Sequence, residues 1–310
     1  MRRLPANQRQ YPFALLPWLA TLMAAPACAG AQTADRPSVA TFSYDKSAPL
    51  ALSDSLLREE GEITVHRIAY ASPKGGRATG RLYVPAGSGP FAGVVVMHGM
   101  PGNAEGIERT SLSIARQGTV VIAIDAPWAH RGNQPLSLTP ADSANQVQLI
   151  VDLQRAVDVL LARPDVDPLR LGYVGRSYGG AMGALFAGVE RRLKTYVLQV
   201  GDGGLVAHFT GPEDLPGGPG QVSPDEWQRW LRAMEPIEPI RFVGQTAPAS
   251  LYFQSGRQDR LVPAADGERL HRAGSEPKTV NWYETGHGLN ETAHADMLGW
   301  LHRVIGTRAP

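Results

Sequence analysis

Residues 169–180 read LRLGYVGRSYGG and are followed by the small-residue run AMGALFAGV at 181–189. The apolar residues at 169–174 predict a strand, and the run at 181–189 predicts a helix. Between them, Gly175, Ser177 and Gly179 fit the pattern G-x-S-x-G, in which a tight strand-to-helix turn lifts the serine clear of a sheet. Glycine is needed there because the backbone is strained and neighbouring segments approach closely. Ser177 is therefore a candidate nucleophile, the alternative being a glycine-rich helix start that Ser177 merely caps.

Strand-like and helix-like segments alternate on both sides of this turn. Continuous apolar runs such as 93–97 and 119–125 fit strands that are covered on both faces. Apolar residues at helical spacing predict a helix over 145–163, which Pro164 ends. The predicted strands are residues 63–71, 78–84, 93–97, 119–125, 169–174, 195–200, 249–255 and 279–283. This alternation predicts an α/β fold with a mostly parallel sheet and helices on both faces.

The segment 201–248 interrupts the alternation. It is rich in glycine and proline around 212–224 and then carries a short helix-like piece with Trp227, Trp230, Leu231 and Met234. We interpret it as a cap-like insertion above the sheet within one domain spanning 32–310. Residues 32–55 show little pattern and are interpreted as an extension that packs onto this domain.

A serine hydroxyl needs a base to take its proton and a carboxylate to orient that base. Asp259 follows the predicted strand 249–255, and His287 follows the predicted strand 279–283, so both fall at the carboxyl edge of the sheet, where active sites of parallel sheets collect. Asp202 is a rival for the carboxylate because it follows the strand 195–200. His294 is a rival for the base, although its helical context suits a surface or capping histidine.

The turn His98-Gly99-Met100-Pro101-Gly102 follows the strand 93–97, where this class of motif supplies a second donor to the oxyanion. We assign the two donors to the backbone N–H groups of Met100 and Tyr178. Each such donor lowers the barrier by about 3 kcal/mol. His98 itself is predicted to hold the turn.

The first 31 residues have the order of a secretory signal peptide. Three arginines precede a mostly apolar run, and the small residues Ala29-Gly30-Ala31 resemble a cleavage site. Prolines interrupt the run, which is too short for a membrane span. We expect an exported protein, periplasmic or secreted, whose mature chain begins near Gln32. In the alternative, Cys28 is the acylated first residue of a lipoprotein, although its preceding residues fit that signal weakly.

Composition excludes several classes of function. Lys plus Arg number 30 and Asp plus Glu number 29, so the charge balance gives no reason to expect a nucleic-acid partner. The single cysteine leaves with the signal peptide, so the mature chain has no disulfide, thiol nucleophile or thiolate metal site. There is no H-E-x-x-H motif either. We therefore expect neither metal nor cofactor. The oligomeric state is left open.

Four motifs together, GRSYGG, HGMPG, GRQDRLVP and GHG, resemble the dienelactone-hydrolase-like group of bacterial serine esterases in the α/β-hydrolase superfamily. The resemblance runs from about residue 63 to 305. It implies an α/β-hydrolase fold and hydrolysis of a small-molecule carboxylic ester through a Ser177 acyl-enzyme, without a cofactor. Serine stands where dienelactone hydrolase proper has cysteine, so lactone specificity does not carry over.

Two other functions stay open on the same motifs. The Ser-Tyr-Gly-Gly turn also resembles serine peptidases of the prolyl-oligopeptidase type, here acting on short peptides, although too few residues precede the sheet for the propeller those enzymes carry. A non-catalytic binding protein can also use this fold. Small or aromatic acyl groups are expected because no charged cluster marks the substrate site. The following aromatic residues either line an apolar pocket or pack the insertion: Trp128, Phe209, Trp227 and Trp230.

Overall fold

The computed structural model describes residues 37–131, 135–210 and 222–309, and their nine strands form one sheet. In chain order the strands are β1 (Ser53–Glu60), β2 (Ile63–Ala71), β3 (Arg77–Pro85), β4 (Phe91–Met97), β5 (Thr119–Ile124), β6 (Val166–Arg176), β7 (Thr195–Gln199), β8 (Ser250–Gly256) and β9 (Lys278–Tyr283). Their order across the sheet is β1-β2-β3-β5-β4-β6-β7-β8-β9.

The strands from β4 to β9 run parallel to one another, whereas β1, β2 and β3 form an antiparallel edge that joins the sheet through β3 and β5. Every residue of β4, β5 and β7 is buried, as expected of strands covered on both faces. The predicted mostly parallel sheet is therefore confirmed. All predicted strands lie within two residues of the observed bounds except β6, which begins three residues earlier.

Helices cover both faces and bury two separate cores. They are α1 (Glu108–Arg116), α2 (Ala141–Leu161), α3 (Tyr178–Val189), α4 (Leu205–Phe209), α5 (Pro224–Met234), α6 (Ala264–Ala273) and α7 (Glu291–Ile305). Successive side chains of β4 point to opposite faces, so Val95 joins the core under α2 and α3 while Val94 joins the core under α1 and α7. This packing fixes the strand ends that carry the candidate site.

The edge strand β1 was not predicted, and residues 53–55, expected to belong to an extension with little pattern, form its start. Ser53–Glu60 pairs antiparallel with β2, for example Asp54 with Ile68. Its residues are mostly exposed, although Leu57 packs, half-buried, against the core under α1 and α7. Because no residue of the strand is fully buried, its sequence lacks the apolar alternation that would predict a strand.

The predicted signal peptide at 1–31, including Cys28, lies outside the described residues. Within the described ranges, none of the helices combines the length and apolar character needed to cross a bilayer.

Helix α5 lies where the insertion was predicted to be helical. It starts with a reciprocal cap, in which Ser223 accepts the N–H of Glu226 and the Glu226 carboxylate accepts the N–H of Ser223. Trp230 is fully buried, and its Nε1 donates to Asp142 Oδ2 at 2.9 Å. These contacts attach α5 to α2. The cap-like role of the whole insertion stays a prediction.

Asp152, on α2, is a buried carboxyl whose ionisation opposes folding. Asp152 is 2% exposed, and burial raises its pKa to about 7, although the neighbouring polar side chains of Ser72 and Gln148 oppose this shift. The folded protein therefore holds this proton more tightly than the unfolded chain does, so the free energy of unfolding falls as pH rises from about 4 to about 7.

Replacing Asp152 with asparagine removes this penalty. We expect the free energy of unfolding of the variant to exceed that of the wild type by about 2–4 kcal/mol at pH 8. Near pH 4 the two free energies of unfolding should be nearly equal. Urea unfolding of both proteins at the two pH values measures the difference. A difference that does not change with pH would contradict the assignment.

Candidate active site

Ser177 sits at the turn between β6 and α3 with backbone angles φ 56° and ψ −122°. Two glycines make this turn possible. A Cβ on Gly175 would lie 2.1 Å from the carbonyl oxygen of Gly179, and a Cβ on Gly179 would lie 2.4 Å from that of Met97. The Ser177 N–H donates to the carbonyl of Gln199 at 2.8 Å, which fixes the turn to β7. The local sequence thus holds a strained residue at the strand end.

His287 and Asp259 are brought to Ser177 from the ends of β9 and β8. His287 Nε2 lies 2.8 Å from Ser177 Oγ, and His287 Nδ1 lies 2.8 Å from Asp259 Oδ2. The other carboxylate oxygen of Asp259 accepts the backbone N–H groups of Leu261 and Val262, at 2.9 and 3.0 Å. The three predicted side chains therefore form one continuous hydrogen-bonded chain.

The environment of Asp259 favours its ionised form. Burial alone would raise the pKa of this carboxyl, but the hydrogen bond to His287 and the two backbone donors outweigh burial and hold the pKa below its usual value. Asp259 is thus a carboxylate that can orient the imidazole and stabilise its protonated form.

The two rival residues occupy other positions. Asp202 Oδ2 lies 2.7 Å from His208 Nδ1, and its Oδ1 accepts the N–H of Gly204 at 3.0 Å, so its carboxylate belongs to the start of the insertion. His294 lies in the first turn of α7, on the wall of the cavity in front of Ser177. The histidine that contacts Ser177 is His287, and the carboxylate that contacts His287 is Asp259.

The turn at 98–102 passes close to the nucleophile, since a Cβ on Gly99 would lie 3.0 Å from Ser177 Cβ. His98 holds this turn, with Nδ1 2.7 Å from the carbonyl of Gly99 and Nε2 accepting the N–H of Ala126 at 3.1 Å. Burial lowers the pKa of His98, which suits the neutral ring this pair of bonds requires. Met100 lines the cavity, and Tyr178 is the first residue of α3, where backbone N–H groups have no helical partner. Their predicted role as oxyanion donors stays a prediction.

A cavity of about 470 Å³ opens in front of Ser177, between the turn at 98–102 and the segment from His287 to α7. Its wall includes Arg109, Arg176 and Glu291. Arg109 pairs with Glu291 at 2.7 Å, and Arg176 donates to the carbonyl of His287 at 3.3 Å. These charged residues are far apart in the chain, so no charged cluster could be recognised in the sequence, although Arg176 lies within the G-x-S-x-G motif itself.

The four aromatic residues singled out in the sequence serve mainly in packing. Trp128 is 2% exposed and meets both His98 and Tyr178 edge-on, with ring centroids 5.5 and 5.4 Å apart. Trp227 stacks on the buried Trp230 at 4.8 Å. Trp128 therefore supports the turns on either side of Ser177 and does not present an open apolar wall.

In the described parts of the chain, no group of three or more His, Cys, Asp or Glu side chains could hold a metal ion. The expectation that no cofactor is needed stays a prediction.

The fold is shared with solved hydrolases. The acetyl xylan esterase from Paenibacillus sp. R4 matches with a TM-score of 0.67 at 22% identity, over 83% of this chain and 90% of that one. Acetyl xylan esterase 1 from Thermoanaerobacterium sp. JW/SL YS485 matches with a TM-score of 0.68 at 14% identity, over 85% and 90%. The protein has the α/β-hydrolase fold.

A model of the dienelactone hydrolase family matches residues 78–298, and the chain belongs to that family. It is a hydrolase. Among curated relatives, the "Uncharacterized peptidase YuxL" of Bacillus subtilis (strain 168) is 27% identical over 259 residues, 78% of this chain but only 38% of the relative. The "Uncharacterized protein YfhR" of Escherichia coli (strain K12) is 23% identical over 242 residues, covering 76% of this chain and 77% of the relative.

Proposed function

We propose that this hydrolase cleaves carboxylic esters through a covalent acyl-enzyme on Ser177. The observation that carries the proposal is the hydrogen-bonded chain from Ser177 Oγ through His287 to Asp259, with both distances 2.8 Å. His287 Nε2 takes the Ser177 proton as Oγ attacks the ester carbonyl, and Asp259 stabilises the imidazolium that forms.

The remaining steps use the same groups. The N–H groups of Met100 and Tyr178 stabilise the oxyanion, and His287 returns its proton to the departing alcohol oxygen. A water molecule, deprotonated by His287, then attacks the acyl carbonyl, and Ser177 leaves with the proton. The products are the acid and the alcohol, and the enzyme returns to its starting state.

We propose that the substrate joins a short acyl group to a polar alcohol. The departing oxygen must lie beside His287, and the cavity wall beyond His287 carries Arg109, Asn290 and Glu291. A long alkyl chain there would strip water from charged groups without replacing their hydrogen bonds. The names of the two acetyl xylan esterases that share the fold agree with this substrate class.

A peptidase is the second candidate, because one curated relative carries that name. We expect measurable turnover of p-nitrophenyl acetate, whereas turnover of aminoacyl p-nitroanilides should be no faster than in the variant Ser177→Ala. An amide has a poorer leaving group than an ester, so its cleavage depends more strongly on subsites that hold the peptide on both sides of the scissile bond. Anilide cleavage that depends on Ser177 would instead establish the peptidase.

A fluorophosphonate probe separates both enzymes from a non-catalytic binding protein on this fold. Such a probe reacts with a serine only when a base activates it. Labelling of the wild-type protein supports either hydrolase, and a protein that is neither labelled nor active would favour the binding protein.

We also propose that the protein is exported, on the basis of the arginine-led apolar segment at 1–31. Expression of the full chain in a bacterium, followed by mass determination of the periplasmic fraction, tests this. The expected mature form begins near Gln32. Retention of the full mass in the cytoplasm would contradict export.

A further inference from the structure

Gln254, in the middle of β8, is a fully buried amide in the core under α7. Glutamine is seldom fully buried, and an unpaired amide there would destabilise the folded protein. Both the nitrogen and the oxygen of this amide have hydrogen-bond partners. Its Nε2 donates to the Ala293 carbonyl at 2.7 Å and to Tyr283 Oη at 2.8 Å, and its Oε1 accepts Nε2 of Gln199 at 2.8 Å.

These partners lie on both sides of the segment that carries His287. Tyr283 is the last residue of β9, and Ala293 lies in the first turn of α7. The same turn is capped by Asn290, whose side chain accepts the N–H of Ala293 at 3.0 Å. One amide group therefore fixes the distance between the end of β9 and the start of α7, and His287 lies on the segment between them.

The other side of the amide leads to the nucleophile. Gln199 ends β7, and its carbonyl accepts the N–H of Ser177 at 2.8 Å. Its side chain donates to Gln254 Oε1. The backbone carbonyl of Gln254 also accepts the N–H of Val200 at 2.8 Å. Gln254 thus joins the end of β7, which binds the backbone of Ser177, to the segment that carries His287.

The tyrosine partners make the arrangement rigid. Tyr283 Oη donates to Asp296 Oδ2 at 2.9 Å and lies 3.0 Å from Tyr252 Oη, which in turn accepts Asn281 Nδ2 at 2.9 Å. A buried polar network whose members are all paired specifies one arrangement of the elements it joins. Apolar side chains could fill the same space but would not fix the relative positions of β8, β9 and α7.

We infer that Gln254 is a positioning residue, which holds His287 Nε2 within hydrogen-bonding distance of Ser177 Oγ by joining the two segments that carry them. The inference rests on the proposed function. It assigns Gln254 no contact with the substrate or the reacting atoms. Because a displacement of about 1 Å in a catalytic group can cost about 100-fold in rate, the loss of this amide should affect kcat more than substrate binding.

The variant Gln254→Met tests the inference, since methionine has similar length and flexibility but no amide. We expect kcat for p-nitrophenyl acetate to fall about 10–100-fold with KM within about twofold of the wild type. The rate constant of fluorophosphonate labelling per folded molecule should fall in parallel. Both are measured well below the unfolding temperature of the variant, so that loss of folded protein does not contribute.

The variant Ser255→Ala is the matched control. Ser255 is the next residue of β8, is nearly as buried and points to the opposite face, where its Oγ lies 3.1 Å from His271 Nε2. We expect this variant to lose stability but to keep the wild-type kcat and labelling rate constant, because its hydroxyl does not belong to the network around Gln254.

A folded Gln254→Met protein with unchanged kcat and labelling rate constant would overturn the inference and leave the proposed function intact. If that variant does not fold, Tyr283→Phe decides, because it removes one hydroxyl from the network and keeps the ring. A fall in kcat of about threefold or more at constant KM supports the inference, and an unchanged kcat overturns it. A wild-type protein that neither labels nor turns over ester would overturn the proposed function and this inference together.

Discussion

Replacing Ser177 with alanine is expected to lower kcat for ester hydrolysis by at least about 10⁴-fold. The substitution removes the attacking oxygen, so no acyl-enzyme can form, and only the oxyanion donors and substrate binding remain to accelerate attack by water. Steady-state kinetics with p-nitrophenyl acetate measure the loss. The melting temperature should stay within a few degrees of the wild type, since alanine keeps the turn and the backbone hydrogen bonds on either side of it.

Ser143→Ala is the control for this experiment. Ser143 lies in the first turn of α2, is half-buried and far along the chain from the site, and donates its hydroxyl to the carbonyl of Pro140 at 2.8 Å. We expect full activity in that variant. Wild-type activity in a folded Ser177→Ala protein would refute the acyl-enzyme mechanism, whatever the state of the other side chains.

Replacing Asp259 with asparagine is expected to reduce kcat by about 10³–10⁴-fold with little change in KM. Asparagine fits the same space, but its amide can turn an N–H toward His287 Nδ1. The imidazole then carries its proton on Nε2 and cannot accept the proton of Ser177 Oγ. The measurement is kcat and KM for p-nitrophenyl acetate on protein shown to be folded by circular dichroism.

Asp202→Asn supplies the comparison that identifies the acid. Asp202 contacts His208 and the N–H of Gly204, and both contacts lie outside the chain of hydrogen bonds that ends at Ser177. We expect its kcat per folded molecule to stay within about threefold of the wild type. The opposite pattern, an active Asp259→Asn and an inactive Asp202→Asn, would assign the carboxylate to Asp202.

The three side chains of the candidate site could be predicted because each has a local signal. Ser177 lies within a glycine pattern, and Asp259 and His287 each follow an apolar run that could be recognised as a strand. Parallel strands place their carboxyl ends at one edge, so topology alone brought the three residues together. The position of each residue after a predicted strand therefore identified the site better than the type of residue did.

Features that depend on distant segments could not be predicted in this way. Strand β1 has no fully buried residue, so its sequence lacks apolar alternation. Arg109 and Glu291 are 182 residues apart in the chain and meet at the cavity wall, and neither has a local pattern that indicates the other. Gln254 is a polar residue with no local motif around it, and only the folded positions of Tyr283 and Ala293 give its amide a role.

Identification of the labelled residue tests the acyl-enzyme most directly. The wild-type protein is reacted with a fluorophosphonate probe, digested and mapped by mass spectrometry, and a heat-unfolded sample serves as the background. We expect a single adduct on Ser177 in the folded protein, at a rate that falls in Asp259→Asn. Modification of a different residue, or ester turnover by a protein whose Ser177 stays unmodified at full probe saturation, would contradict the proposed mechanism.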